Sequence, residues 1–186
     1  MNVVLIQKVQ KWVEEIYSNA DHLVRTGYWV KKLNPKANDA LIIAAITHDI
    51  ERAFKEDRNP PVEEFGANWD NPIYDKWHSE RSVEFVSEFL KKEGTDQGLI
   101  DEVSRLIGHH EHGGWKEADI LRDADSLSFL EVNVGMFISW IPDKVSKEEV
   151  KEKFDYMFNR IGGKRARELA EPLYKKALEK LGKVAD

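Results

Sequence analysis

Cysteine is absent from the 186 residues, which excludes a disulfide framework and any thiolate metal site. That absence fits a cytoplasmic protein. Long hydrophobic runs are missing too: no apolar stretch reaches the roughly 20 residues of a membrane-spanning helix. The opening stretch, Met1-Asn2-Val3-Val4-Leu5-Ile6-Gln7-Lys8, has neither the basic flank nor the apolar length of a signal peptide. A cytoplasmic location without a membrane partner is therefore expected. Positive charge is in short supply, with 28 Lys and Arg against 34 Asp and Glu and a net charge of −6. The chain lacks the electrostatic footprint of a general nucleic-acid binder, so no nucleic-acid polymer is expected as a partner. A small anionic ligand stays compatible, because a bound metal makes its own positive field. No internal repeat, low-complexity segment or alternating strand pattern is found. The chain is long enough for one full core, and it reads as an all-α bundle, a single domain over 1–186.

What is present is helical periodicity. Residues 3–17 place Leu5, Val9, Trp12, Val13 and Ile16 at helical spacing. A second helix is expected from His22 to Leu33, with His22, Arg25, Thr26 and Trp29 on one face. A third is expected from Pro35 to Ile50, capped by Asn34. Residues 51–77 form a long expected loop with Pro60-Pro61, Gly66, Asn68, Asn71-Pro72 and the rings of Trp69, Tyr74 and Trp77. A connection that long in a compact domain is usually functional, although rings merely packed on the surface would serve as well. Further helices are expected over 78–90, 98–111, from 116 to about 130, 132–141, 146–160 behind the capping box Ser146-Lys147-Glu148-Glu149, and 164–181 with a kink at Pro172.

The chemistry-bearing residues stand out against this background. His48-Asp49 follows Ala40-Leu41-Ile42-Ile43-Ala44-Ala45-Ile46-Thr47, a segment apolar nearly all round and hence buried. A buried imidazole and carboxylate need partners. Hydrogen bonds to core carbonyls would satisfy them, and so would a divalent metal, for which both are good ligands. Five of the six histidines fall in four places, His22, His48, His78 and the pair His109-His110, while Asp49 and Asp125 sit in otherwise apolar surroundings. Helix bundles build metal sites from such inward-projecting side chains. Nitrogen and oxygen ligands without sulfur point away from a structural zinc.

His22, then His48-Asp49, then Asp125 in Asp123-Ala124-Asp125-Ser126-Leu127 resembles the H…HD…D signature of the HD-domain superfamily of metal-dependent phosphohydrolases. The resemblance covers roughly residues 18–130, leaving 131–186 as additional C-terminal helices. It implies an HD-type helical fold and one or two divalent ions (Mn, Fe, Co, Ni, Mg or Zn) held by His22, His48, Asp49 and Asp125, with His78 and His109 completing the ligand set. Helical neighbours point about 100° apart, so His109 and His110 cannot easily ligate the same ion; of the roles the resemblance implies, a second metal or a substrate phosphate, the metal is expected at His109 and the phosphate at His110. His112, against Gly113-Gly114, is expected at the surface, and Asp123 is expected to support or cap.

A metal-activated water attacking a small phosphate ester or nucleotide is the implied reaction. Asp49 has two oxygens to share between ions. Glu51 and Glu111 are the candidate acid and base, and Arg25 and Arg81 are candidate phosphate contacts, since guanidinium forks suit phosphate. A homo-oligomer is compatible with the sequence. The same ligands, His22, His48, Asp49, His78, His109 and Asp125, also resemble the di-iron set of the myo-inositol oxygenase group, which implies dioxygen activation instead. A metal-containing signalling module without catalysis is a third reading.

Overall fold

The computed structural model describes residues 2–56, 59–62 and 69–184. Gly66 and Asn68 of the expected loop lie outside the described residues. Among those described there is no strand, in agreement with the all-α expectation. The helices are α1 Val3–Ile16, α2 Ala20–Leu33, α3 Asp39–Ala45, α4 Pro72–Lys92, α5 Gln97–Ile107, α6 Lys116–Ser128, α7 Val134–Ile138, α8 Lys147–Asn159 and α9 Lys164–Gly182. A 3-10 turn, Ile50–Ala53, follows α3, and a π-helical segment, Phe129–Asn133, joins α6 to α7.

Capping chemistry explains where these helices begin, and in two places it moves a start away from the expected position. Asn38, not Asn34, caps α3: its side chain accepts from the Leu41 amide at 3.0 Å, so Pro35 lies outside the helix. Asn71 caps α4 by accepting from the Ile73 amide at 3.1 Å, with Pro72 at the first helical position, where its missing N–H costs nothing. Residues 72–77 are thus helical, and the expected 51–77 loop is shorter at both ends. The capping box of Ser146 and Glu149 opens α8 as expected. Pro172 is accommodated inside α9.

One apolar core runs through the molecule. α3 is its centre, with Leu41, Ile42, Ile43, Ala44 and Ala45 all buried. α2, α5 and α6 pack around α3, and α2 lies along α6. α1 adds Leu5, Ile6, Val9 and Val13 and stacks Trp12 on Phe89 of α4, ring centroids 4.3 Å apart. α8 contributes Val150, Phe154 and Met157, and α9 contributes Ala166, Ala170, Ala177 and Leu181. The small residues of α3 let its neighbours approach closely, so the ends of α2, α3, α5 and α6 meet in one place.

Candidate metal centre

α3 stops at Ala45, so His48 and Asp49 lie in the turn beyond it and not on the helix. The Thr47 hydroxyl donates to the Ile43 carbonyl at 2.7 Å, and the Ile50 amide donates to the Thr47 carbonyl at 3.0 Å. This tight turn aims both side chains at the helix ends around them. α5 likewise stops at Ile107, and His109, His110 and Glu111 lie in the turn that follows. Gly113 closes that turn with φ of 73°, and a Cβ there would stand 2.2 Å from Asp119 Oδ1; only glycine fits such a left-handed, crowded position.

These turns bring seven side chains together. His22 Nε2 is 3.1 Å and His48 Nε2 is 3.4 Å from Asp125 Oδ1. Asp49 Oδ1 is 3.1 Å from His78 Nε2 and 3.6 Å from His110 Nε2. Glu111 Oε1 is 3.3 Å from His110 Nε2 and 3.6 Å from His78 Nε2. Atoms sharing one ion at 2.0–2.2 Å stand roughly 3 Å apart, so the spacing suits a cation. Three groups have that compactness: His22-His48-Asp125, His48-Asp49-His110 and His78-His110-Glu111.

The hydrogen bonds behind the rings fix which nitrogen faces inward. His48 Nδ1 donates to the Ala45 carbonyl at 3.0 Å and His110 Nδ1 to the Ile107 carbonyl at 2.7 Å. His78 Nδ1 donates to Glu51 Oε1 at 3.3 Å. Ser128 uses its proton on the His22 carbonyl, 2.7 Å away, so its Oγ accepts from His22 Nδ1 at 3.0 Å. A neutral imidazole that donates from Nδ1 has a lone pair on Nε2. In their neutral form, all four imidazoles would therefore present Nε2 lone pairs to the centre. His48 Nε2 is buried without a hydrogen-bond partner, and His78 and His110 face each other Nε2 to Nε2 at 3.1 Å. Two facing lone pairs repel unless a proton or a metal lies between them. The residues present fit a divalent cation, and the cluster can hold one.

Arginines grip the outer oxygens of the carboxylates, as supporting groups behind metal ligands do. Arg52 Nε donates to Asp49 Oδ2 at 3.0 Å. Arg160, capping the end of α8, spans two carboxylates, donating from Nη2 to Asp125 Oδ2 at 2.6 Å and from Nη1 to Glu111 Oε2. Burial works to raise the pKa of each of these carboxyls, and the cations override it. Arg52, His78 and His48 hold Asp49 well below the usual range. Arg160 and His110 do so for Glu111, and Arg160 with His22 for Asp125. Burial lowers the two imidazoles, yet Asp49 carries His78 well above its ordinary value and Glu111 carries His110 up to about 9. The carboxylates thus demand positive charge at the centre, which protons or a metal can meet.

The cluster floors a pocket of about 550 Å³. His22, Asp49, Glu111 and Asp125 line it, below Arg52, Lys55, Lys153 and Arg160 and rings that include Trp69, Tyr74, Phe129 and Trp140. Of the residues expected at the site, His22, His48, Asp49, His78, His110 and Asp125 are brought together. His109 is not: it is exposed and meets the edge of Trp115, ring centroids 5.0 Å apart. His110 takes the place expected for His109, because the turn after α5 swings His110 inward, and His109 does not line the pocket. Glu111, expected as an acid or base, stands among the groups that could hold an ion. Glu51 is fully buried behind His78 and off the pocket wall, so it orients an imidazole and does not face a substrate. Arg25 pairs with Glu131, donating from Nε at 2.6 Å, and Arg81 lies against the rings of Trp77 and Phe85; neither lines the pocket, and nor does Trp77. His112 is exposed as expected. Asp123 accepts from the Gly162 and Gly163 amides at 3.0 and 2.8 Å, which anchors the chain just beyond Arg160.

Four pocket residues escape the sequence reading. Arg52 lies three residues beyond Asp49, a spacing that could have signalled it. Lys153 and Arg160 are seven apart, two helical turns on one stripe of α8. Burial, with Glu111 adding to it, pushes the Asp75 carboxyl up to about 6. Burial pushes the Lys153 ammonium down to about 8.

Two solved structures share the fold. One is Bacillus subtilis YpgQ, as its selenomethionine form, 17% identical with a TM-score of 0.65 over 95% of this chain and 90% of that one. The other is a predicted HD superfamily hydrolase from an uncultured Thermotogales bacterium, 21% identical with a TM-score of 0.58 over 95% of this chain and 88% of that one. The all-α architecture is thus of the HD type. A comparison with the curated proteins gives no match. The family profile of DUF4202, described as a domain of unknown function, matches residues 6–181, and the chain belongs to that family.

Proposed function

We propose that the protein is a metal-dependent phosphohydrolase acting on a small phosphate ester or nucleotide. The observation that carries this reading is the alignment of four Nε2 lone pairs on three carboxylates at the floor of a pocket walled by cations. His22, His48, Asp49, Asp125 and their neighbours would hold a divalent ion, which would supply a nucleophilic water near neutral pH and polarise the phosphoryl oxygen. Arg52 and Arg160 keep the carboxylates oriented and ionised. Asp75 Oδ2 is buried without a hydrogen-bond partner and belongs to the carboxyl pushed up to about 6. It is the pocket group suited to hold a proton near neutral pH and give it to the leaving oxygen.

The same ligand set resembles that of a di-iron oxygenase. The basic wall favours the hydrolase, because an anionic phosphate needs it and a neutral substrate does not. Elemental analysis of the purified protein, beside His48→Ala, tests the choice. One or two equivalents of Mn, Co, Ni, Mg or Zn, lost in the variant, together with phosphate release from an ester panel, are the expected outcome. Two equivalents of iron with substrate-dependent oxygen uptake would replace the hydrolase by the oxygenase. No metal after supplementation would overturn both.

A further inference from the structure

We propose that Lys153 receives the oxyanion of the substrate, which makes α8, outside the segment that carries the metal ligands, the anion-selecting wall of the pocket. The inference rests on the phosphohydrolase reading. The Lys153 ammonium lies 5.0 Å from the ring of Trp69, 5.1 Å from that of Tyr156 and 5.6 Å from that of Phe129. Ring faces attract a cation, but they offer no oxygen acceptor to its three N–H groups. Among the described residues no carboxylate comes within 4 Å of it.

The other basic groups of the pocket are placed differently. Arg52 is bound to Asp49 and Arg160 to Glu111 and Asp125, so both are committed to the ligand carboxylates. Lys55 is exposed at the rim. Lys153 is half-buried and lines the same pocket as Asp125 and Glu111. Val150, Phe154 and Met157 on the adjoining stripe are buried in the core, which fixes the rotation of α8 and hence the direction in which Lys153 is presented. A tetrahedral oxyanion entering the pocket brings the missing acceptors together with negative charge, and charge-assisted hydrogen bonds of this kind are the strong ones.

The test is calorimetric titration of the metal-loaded full chain with inorganic phosphate, for the wild type, Lys153→Met and Lys153→Arg. Methionine matches the stem in length and apolarity, so the variant is expected to keep its metal content and melting temperature. Phosphate binding is expected to weaken about tenfold or more in Lys153→Met and to stay within about threefold of wild type in Lys153→Arg. With p-nitrophenyl phosphate as substrate, KM should rise by a similar factor while kcat changes less. Phosphate binding by Lys153→Met within about twofold of wild type would overturn the assignment, and so would a metal-loaded wild type that binds no phosphate. If the wild type still hydrolyses esters in either case, the phosphohydrolase reading survives and only the role of Lys153 falls. If the wild type takes up no metal, that reading falls, and the same variant comparison run without metal decides the role of Lys153.

Discussion

At the scale of single residues, the centre depends on groups that touch the ligands from behind. Arg160→Met leaves Glu111 and Asp125 facing each other without their shared cation, and breaking a buried pair from one side costs about 3–5 kcal/mol. Denaturant unfolding at pH 7 should show that loss. Arg160→Lys should recover only part of it, because one ammonium cannot fork across two carboxylates. Asp75→Asn removes the proton donor and keeps the shape. Its kcat should fall about 10²-fold or more on an alkyl phosphate and far less on p-nitrophenyl phosphate, whose leaving group needs no proton. Equal losses on the two substrates would show that Asp75 does not act as the acid. His48, Asp49 and Asp125 were legible in the sequence as ionisable residues in apolar runs that need a partner, and His22 and His78 only through the resemblance to the HD-domain superfamily. The choice between His109 and His110 was not, since it depends on the pitch of a turn that begins after α5 has ended. Arg160 was illegible for a related reason: an arginine at the end of an amphipathic helix looks solvated until the tertiary fold brings carboxylates from α6 and the turn after α5 against it.

At the scale of elements, the centre is as good as the docking of α2 on the end of α3. Gly27 sits in the interior of α2, and a Cβ there would lie 2.5 Å from Ile46 Cγ2. Helix propensity alone would make Gly27→Ala stabilising by about 1 kcal/mol. The clash opposes it, since overpacking costs about 1–3 kcal/mol, and Ile46 is buried two residues before His48 with little freedom to yield. The variant should melt lower than wild type and bind metal more weakly, because moving α2 away from α3 separates His22 from His48. A raised melting temperature with unchanged metal affinity would show that the helices have slack. The helices themselves were readable from periodicity, and so was the capping box of α8. The starts of α3 and α4 were not, because Asn34-Pro35 and Asn71-Pro72 carry the same cap-and-proline signal. Only the second opens a helix; at the first, Asn34 Oδ1 accepts from the Lys36 amide at 3.2 Å and Asn38 takes over as cap.

At the scale of the whole molecule, the cluster ties stability to pH in opposite senses with and without metal. Folding raises the proton affinities of His78 and His110, the latter to about 9. Their contribution is complete below the unfolded imidazole value near 6.5 and is lost as pH rises toward the folded values. Asp49, Glu111 and Asp125, held low, stay ionised well above pH 5 and add no slope there. Asp75 titrates near 6 and Lys153 near 8, so the middle of the interval from 6.5 to 8 reports mainly the histidines, with Asp75 adding to the loss at its lower end and Lys153 opposing it at its upper end. Chelator-treated protein should therefore lose stability across that interval, by about 1.4 kcal/mol per pH unit for each imidazole that stays protonated only when folded. A metal displaces those same protons, so its affinity should climb over the interval. The melting-temperature gain from a fixed metal concentration then widens, following RT ln(1 + [L]/Kd). Thermal melts at pH 6.5, 7.2 and 8.0, with chelator and with metal, read both slopes at once. A chelated protein whose melting temperature holds steady or rises across the interval would mean that the folded imidazoles carry no extra protons. The positive charge demanded by the three carboxylates would then be met by Arg52 and Arg160 alone, and the case for a cation among the four Nε2 atoms would rest on their lone pairs without the electrostatics.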